Sequence, residues 1–241
     1  MQYISILSTV VTFVFAVAVF NRYRQKGGMH LLLWGIGLVL FGLGTLSEAI
    51  LIFTYSEPVL KMWYLCGAML TAAWLGQGTV HLLVRKRGVA MRLTQVLLIV
   101  SLVALVLVVM ASPNPAAPPY DSSLPISAQY KDLLVRNPLI IILTILLNTY
   151  GAFALIGGAL YSAYIFWRKR ILADRMYGNI LIAAGALMPT LGGTFIRLGL
   201  GDWLYLSEFL GVVLMYAGFL KATAAQPVKQ AVKAPTPSHP V

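Results

Sequence analysis

Residues 21–51, NRYRQKGGMHLLLWGIGLVLFGLGTLSEAIL, decide the fold. Arg22, Arg24, Lys26 and a Gly-Gly pair come first, and an apolar run follows whose only ionisable members are His30 and Glu48. About twenty such residues wound as a helix cross a hydrocarbon layer of roughly 30 Å. The run is apolar all round, so it has no face to offer water, unlike the helices that coat a soluble domain. The stretch reads as a basic loop leading into a membrane-spanning helix.

The rest of the chain repeats this pattern. Seven apolar runs cover approximately Ile4–Phe20, Met29–Phe53, Leu60–Val84, Met91–Ser112, Leu139–Trp167, Tyr177–Leu200 and Trp203–Leu220. Of the 241 residues, 59% are hydrophobic and 10% charged, against roughly 25% charged in a soluble domain. The expectation is an all-α polytopic membrane protein, a seven-transmembrane-helix bundle over residues 1–221. Residues 222–241, rich in Ala, Pro and Lys, should form a disordered tail.

Basic residues set the orientation. Arg22, Arg24, Lys26, Arg85, Lys86, Arg87, Arg92, Arg168, Lys169, Arg170, Arg175, Lys221, Lys229 and Lys233 fall on one side of the predicted bundle. Lys61, Lys131, Arg136 and Arg197 fall on the other, a split of fourteen to four among eighteen. Basic loops stay in the cytoplasm, which puts the N-terminus outside, the C-terminus inside, and the protein in the plasma membrane. The net charge of +11 then meets anionic headgroups. The partner it implies is the lipid bilayer, and nucleic acid is not needed to explain it.

The first run is followed, not preceded, by positive charge and has no small-residue cleavage pattern, so it reads as a retained helix. The one cysteine, Cys66, allows no internal disulfide, and His30, His81 and His239 lack partners at metal-ligand spacing. No nucleophile–base pair or phosphate loop is visible, so an enzyme is not expected, and nothing identifies a cofactor.

Residues 113–138 form the one long connection, on the outer side. Its first half is proline-rich and reads as extended. Its second half spaces Ile126, Tyr130, Leu133 and Leu134 as a short amphipathic helix. The loop is either a spacer or a lid over a pocket. A loose internal echo links Gly44-Thr45 before Glu48 with Gly193-Thr194 before Arg197, and Tyr64 with Tyr205 at the start of the helix that follows each. It fits two three-helix units joined by a single helix, a plan some carriers use.

Ionisable residues inside the spans carry the functional reading, because they are costly there and usually face the bundle interior. Counting 1.5 Å per residue sets Glu48, Arg197 and Glu208 at one level, roughly 5–8 Å below the outer boundary. The short turn at Gly201-Asp202 folds Arg197 back toward Glu208, where a guanidinium can fork onto a carboxylate. Thr45, Thr194, Tyr64 and Tyr205 join this layer as candidate ligand-binding residues. Two acids against one base leave three readings: an interhelical clamp, a ligand or ion site, or a proton-linked switch.

Gln77, His81 and Asn148 form a second polar set, with Gln95 near the first two. Pro189 should kink the sixth helix. Gly151, Ala154, Gly158 and Ser162 form a small-residue stripe for close helix packing. Trp63, Tyr64, Trp203 and Tyr205 mark the outer aromatic belt, and Tyr164, Trp167 and Tyr177 the inner one. Trp34 and Trp74 lie deeper.

The last helix lacks a central lysine for a retinal Schiff base, and the proline–glutamine signature of SWEET carriers is missing. Residues 21–51, with their basic loop, early Trp34 and late Glu48, resemble the second segment of the seven-helix sensor regions of bacterial histidine kinases and related signalling proteins. The resemblance covers about the first 85 residues. It implies a membrane sensor or accessory module that signals through a partner membrane or signalling protein. The sequence thus points to a non-enzymatic sensor or binding module for a small or lipidic ligand or a partner protein. A small secondary carrier and a structural subunit of a larger membrane complex are the alternatives.

Overall fold

A computed structural model describes residues 3–84, 86, 88–170, 172–197 and 202–224; the side chains of residues 191–197 and 202 lie outside what it describes. The described chain is built of helices: α1 (Ile4–Lys26), α2 (Met29–Leu51), α3 (Glu57–Leu83), α4 (Val89–Met110), α5 (Ile126–Leu133), α6 (Pro138–Arg168), α7 (Ala173–Arg197) and α8 (Asp202–Thr223). Six of these segments are long and apolar enough to cross a membrane: α1, α2, α3, α4, α6, and α8 from Trp203 onward. The protein is therefore a multi-pass membrane protein. Helices are the form such runs must take, because lipid supplies no partner for backbone N–H and C=O groups.

The spans alternate in direction and close a ring in the order α1–α2–α3–α6–α7–α8, with α8 returning to α1. α4 stands outside the ring, against α3 and α6. Its outward residues, among them Val96, Ile99, Leu102 and Val106, are more than half exposed and face the bilayer.

Small residues set how closely the ring helices approach. A β-carbon on Gly151 would lie 2.1 Å from the carbonyl carbon of Ala72, and one on Gly158 would lie 2.4 Å from Thr79 Cγ2. Gly151, Ala154 and Gly158 of the small-residue stripe therefore face α3, the close helix approach their spacing predicts. A stripe the sequence reading missed, Ser5, Ser8, Thr9 and Thr12, is buried along α1. The hydroxyls of Ser8, Thr9 and Thr12 turn back to carbonyls of their own helix, and Thr9 also donates to Thr45 Oγ1 at 3.0 Å. The i, i+3, i+4, i+7 spacing was the available signal.

Two spans contain wider π-helical turns, Trp63–Leu70 in α3 and Phe153–Gly157 in α6. Such turns re-aim the side chains around them and recur at functional sites. Pro189 sits within α7 without ending it. α8 continues to Thr223, two residues past the expected start of the tail, whose residues 225–241 lie outside the described residues.

Residues 113–138 are tied down along their length. Pro113 and Leu134 form an isolated bridge, and Asn114 N–H donates to Leu133 O at 3.0 Å. The Tyr120 hydroxyl donates to Leu51 O at the end of α2, at 2.9 Å. Gln129 bonds Asp121 through both its side-chain oxygen and its nitrogen. The expected amphipathic helix is α5, with Ile126 and Leu133 buried in the core together with Leu134 just beyond it. This segment is more than a spacer. It lies over the mouth of the ring.

Candidate ligand-binding cavity

α2 and α3 touch where Gly44 meets Gly67: a β-carbon on Gly44 would stand 2.6 Å from the Gly67 α-carbon. From that crossing the two helices run antiparallel toward the α5 end of the bundle. One turn further along each are Glu48 and Trp63, and they meet. Trp63 Nε1 donates to Glu48 Oε1 at 2.8 Å. Glu48 is 3% exposed and its second oxygen has no hydrogen-bond partner.

Inside the ring is a cavity of about 620 Å³, walled by α2, α3, α6, α7 and α8 and covered by α5. Glu48 enters it from α2 and Glu208 from α8, and the two carboxyl groups lie near each other. Four buried side-chain polar atoms lack a hydrogen-bond partner among the described residues: Glu48 Oε2, Glu208 Oε2, Ser127 Oγ and Arg136 Nε. The first three belong to residues lining this cavity. An unpaired buried polar group costs about 1–3 kcal/mol, more when charged. Three at one cavity, two of them acidic, can accept hydrogen-bond donors or positive charge.

The end under α5 also carries the aromatic rings of Trp63 and Tyr130, with centroids 5.3 Å apart. Arg136 lies 4.8 Å above the Tyr130 ring, and Lys131 lines the mouth. Toward the opposite end the walls become apolar, with Leu75, Leu155 and Met215. The cavity is amphipathic along its length and falls within the range of small-molecule sites, roughly 300–1,000 Å³.

The expected residues divide. Thr45, Glu48, Asn148 and Glu208 line the cavity. Asn148 Nδ2 is already engaged, donating to Ala68 O at 2.8 Å and to Thr144 O at 2.9 Å. Tyr64 and Tyr205 are buried but are not among the lining residues; the Tyr64 hydroxyl instead pairs with Thr144 Oγ1 at 2.9 Å. Trp63 and Tyr64, expected in the outer aromatic belt, are core residues 6% and 1% exposed. Trp203, at 47% exposed, keeps a belt position. Arg197 ends α7, but its side chain and that of Thr194 lie outside the described residues, and the expected Arg197–Glu208 pair with them.

The second polar set does not form one site. Gln77 is fully buried and donates to Ala90 O at 2.9 Å and Thr94 Oγ1 at 2.8 Å, and it accepts from the Tyr150 hydroxyl. His81 Nε2 reaches the same Thr94 hydroxyl at 2.7 Å. Thr94, not the exposed Gln95, is the α4 member, and the group ties α3, α4 and α6 together. Trp34 and Trp74 are likewise held by hydroxyls, of Thr79 at 3.3 Å and Ser101 at 3.1 Å.

Sequence reasoning missed Trp63, Ser127 and Tyr130. Ser127 and Tyr130 became candidates only once α5 was seen to cover the ring. In the loop before α5, the Ser123 hydroxyl and amide hold the Asp121 carboxyl below the usual aspartate range. Burial, with Asp121 nearby, holds the Tyr120 hydroxyl above the usual tyrosine range. No protein family, curated protein or solved structure matches the chain.

Proposed function

We propose that this protein is a non-enzymatic membrane sensor or binding module whose cavity takes a small amphiphilic ligand. The ligand's donor or cationic end sits at Glu48 and Glu208 beneath α5, and its apolar part extends toward Leu75 and Met215. The observation that carries the reading is the convergence of three unpartnered buried polar atoms on one cavity.

In this reading α7, 25 residues long and packed along α8, is the seventh span. An odd number of crossings sets the termini on opposite sides, and the fourteen-to-four split of basic residues sets the N-terminus outside, in the plasma membrane. The cavity then opens under the outer leaflet, where an extracellular or lipidic ligand arrives. The resemblance to histidine-kinase sensor regions supports a signalling role exerted through a partner protein.

Thermal unfolding of the purified protein in detergent across a small-molecule library tests this. A ligand at a hundred times its Kd stabilises by about 2.7 kcal/mol, a shift of about 5–10 °C for a chain of this size. Hits should stabilise the wild type and lose that effect in Glu48→Gln. Equal stabilisation of both proteins would remove Glu48 from the site. A carrier is the second reading, favoured by Pro189 and Thr190 lining the same cavity. Substrate-dependent uptake into proteoliposomes would select it over a sensor.

A further inference from the structure

At the opposite end of the bundle from α5, a second cleft of about 460 Å³ opens where α6 turns into α7. Phe166, Trp167, Arg168, Arg170, Ala173 and Met176 line it. Both flanks of the turn are hydrogen-bonded: Lys169 N–H donates to Ile165 O at 3.1 Å, Arg170 N–H to Trp167 O at 3.0 Å, and Leu172 O accepts from the amides of Arg175 and Met176. Arg170 and Leu172 take φ of 50° and 55°, left-handed values that side chains with a β-carbon rarely adopt. This backbone puts Arg168 and Arg170 on one cleft. Among the described residues neither guanidinium has an ion-pair partner.

Several other basic side chains of the described chain are engaged elsewhere. Lys61 is paired with Glu57 and caps Val109 O, Arg136 lies over Tyr130, and Lys221 meets Asp174 at 3.5 Å and the Tyr177 ring. Asp174, the acid closest to the turn in sequence, is thereby matched and does not line the cleft. Arg22, Arg24 and Lys26 lie at the same end of the bundle, on α1, but do not line this cleft.

The cleft's remaining surface is apolar and turned outward. Trp167 is 65% exposed and Tyr164, its ring neighbour at 6.1 Å, is 49% exposed. Exposed tryptophan and tyrosine at a helix end mark the headgroup level of a bilayer. Two unmatched guanidiniums beside them present forked donors to a phosphate at that level. We infer that this cleft is a binding site for the phosphodiester headgroup of an anionic phospholipid, its glycerol and first acyl carbons lying against Trp167 and Met176. Free phosphate shares the headgroup chemistry, but it would leave the apolar wall uncovered, and the wall is what favours lipid.

The test uses the full chain in phosphatidylcholine vesicles containing a minor fraction of acyl-brominated phosphatidylglycerol, with acyl-brominated phosphatidylcholine at equal fraction as the comparison. Bromine quenches tryptophan on contact, and the signal lost in Trp167→Phe isolates Trp167 from the other four tryptophans. Each arginine should enrich the anionic lipid about fivefold, so brominated phosphatidylglycerol should quench Trp167 well beyond its mole fraction. Arg168→Gln with Arg170→Gln should abolish the excess, and Arg22→Gln with Arg24→Gln should leave it. Equal quenching by the two lipids in the wild type would overturn the inference without any variant. So would an equal loss in the Arg22/Arg24 variant, which would mean diffuse surface charge. Equal quenching by the two lipids, together with stabilisation of the protein by inorganic phosphate, would assign the cleft to free phosphate instead.

Discussion

Replacing Gly151 by alanine should strain the wall of the cavity in a calculable way. The new β-carbon would stand 2.1 Å from the carbonyl carbon of Ala72, 2.2 Å from its oxygen and 2.5 Å from Ala73 N. All three are backbone atoms and cannot rotate aside. Ordinary contact begins at 3.4 Å, so α6 must retreat from α3 by about 1.3 Å (3.4 − 2.1), and a gap near that size forfeits a quarter to a half of the contact energy along the seam. Overpacking of this kind costs about 2–3 kcal/mol, which lowers Tm by about 4–12 °C for a chain of this size. Gly157, six residues along the same helix, is the control: a β-carbon there meets nothing within 4 Å. Gly157→Ala should leave Tm unchanged or raise it slightly, since glycine in a helix interior costs roughly 0.5–1 kcal/mol. Thermal unfolding followed by tryptophan fluorescence reads both. A Gly151→Ala protein within about 1 °C of wild type, less than any of these costs allows, would refute the α3–α6 seam. A Gly157→Ala protein that falls as far would refute it too.

Two further outcomes follow from the site. Trp63→Phe keeps an aromatic ring but removes the indole N–H that donates to Glu48; unfolding should show a loss of about 1–2 kcal/mol, and Glu48→Gln in that background should recover part of it. Tyr120 anchors the loop to α2, and its hydroxyl titrates above the usual range, first through burial and then through Asp121. Its contribution to stability is complete at neutral pH and is lost as pH rises through that titration. Alkaline unfolding followed at the tyrosinate absorbance should lose this component in Tyr120→Phe.

The spans were legible because a run apolar on every side has one physical reading, and the short connections force antiparallel neighbours. α5 was legible from the spacing of Ile126, Tyr130 and Leu133 alone. The common depth of Glu48 and Glu208 followed from rise per residue. Their partners did not, because depth fixes height and leaves rotation open. Rotation is set by the Gly44–Gly67 crossing and by the π-helical turn that begins at Trp63. Together they aim Trp63 at Glu48 and leave Tyr64 facing Thr144. The sequence offered Arg197 as the partner of Glu208; among described residues Glu208 faces the other acid.

The facing acids are the centre of the account, and one measurement reaches them directly. Glu48→Cys with Glu208→Cys, in a Cys66→Ala chain that has no other thiol, should be bridged within a single chain by a short thiol-reactive cross-linker. Mass spectrometry of the α2 and α8 peptides should find them joined. Both cysteines modified separately, with no joined peptide, would mean that the two carboxyls do not meet and that the cavity has a different architecture.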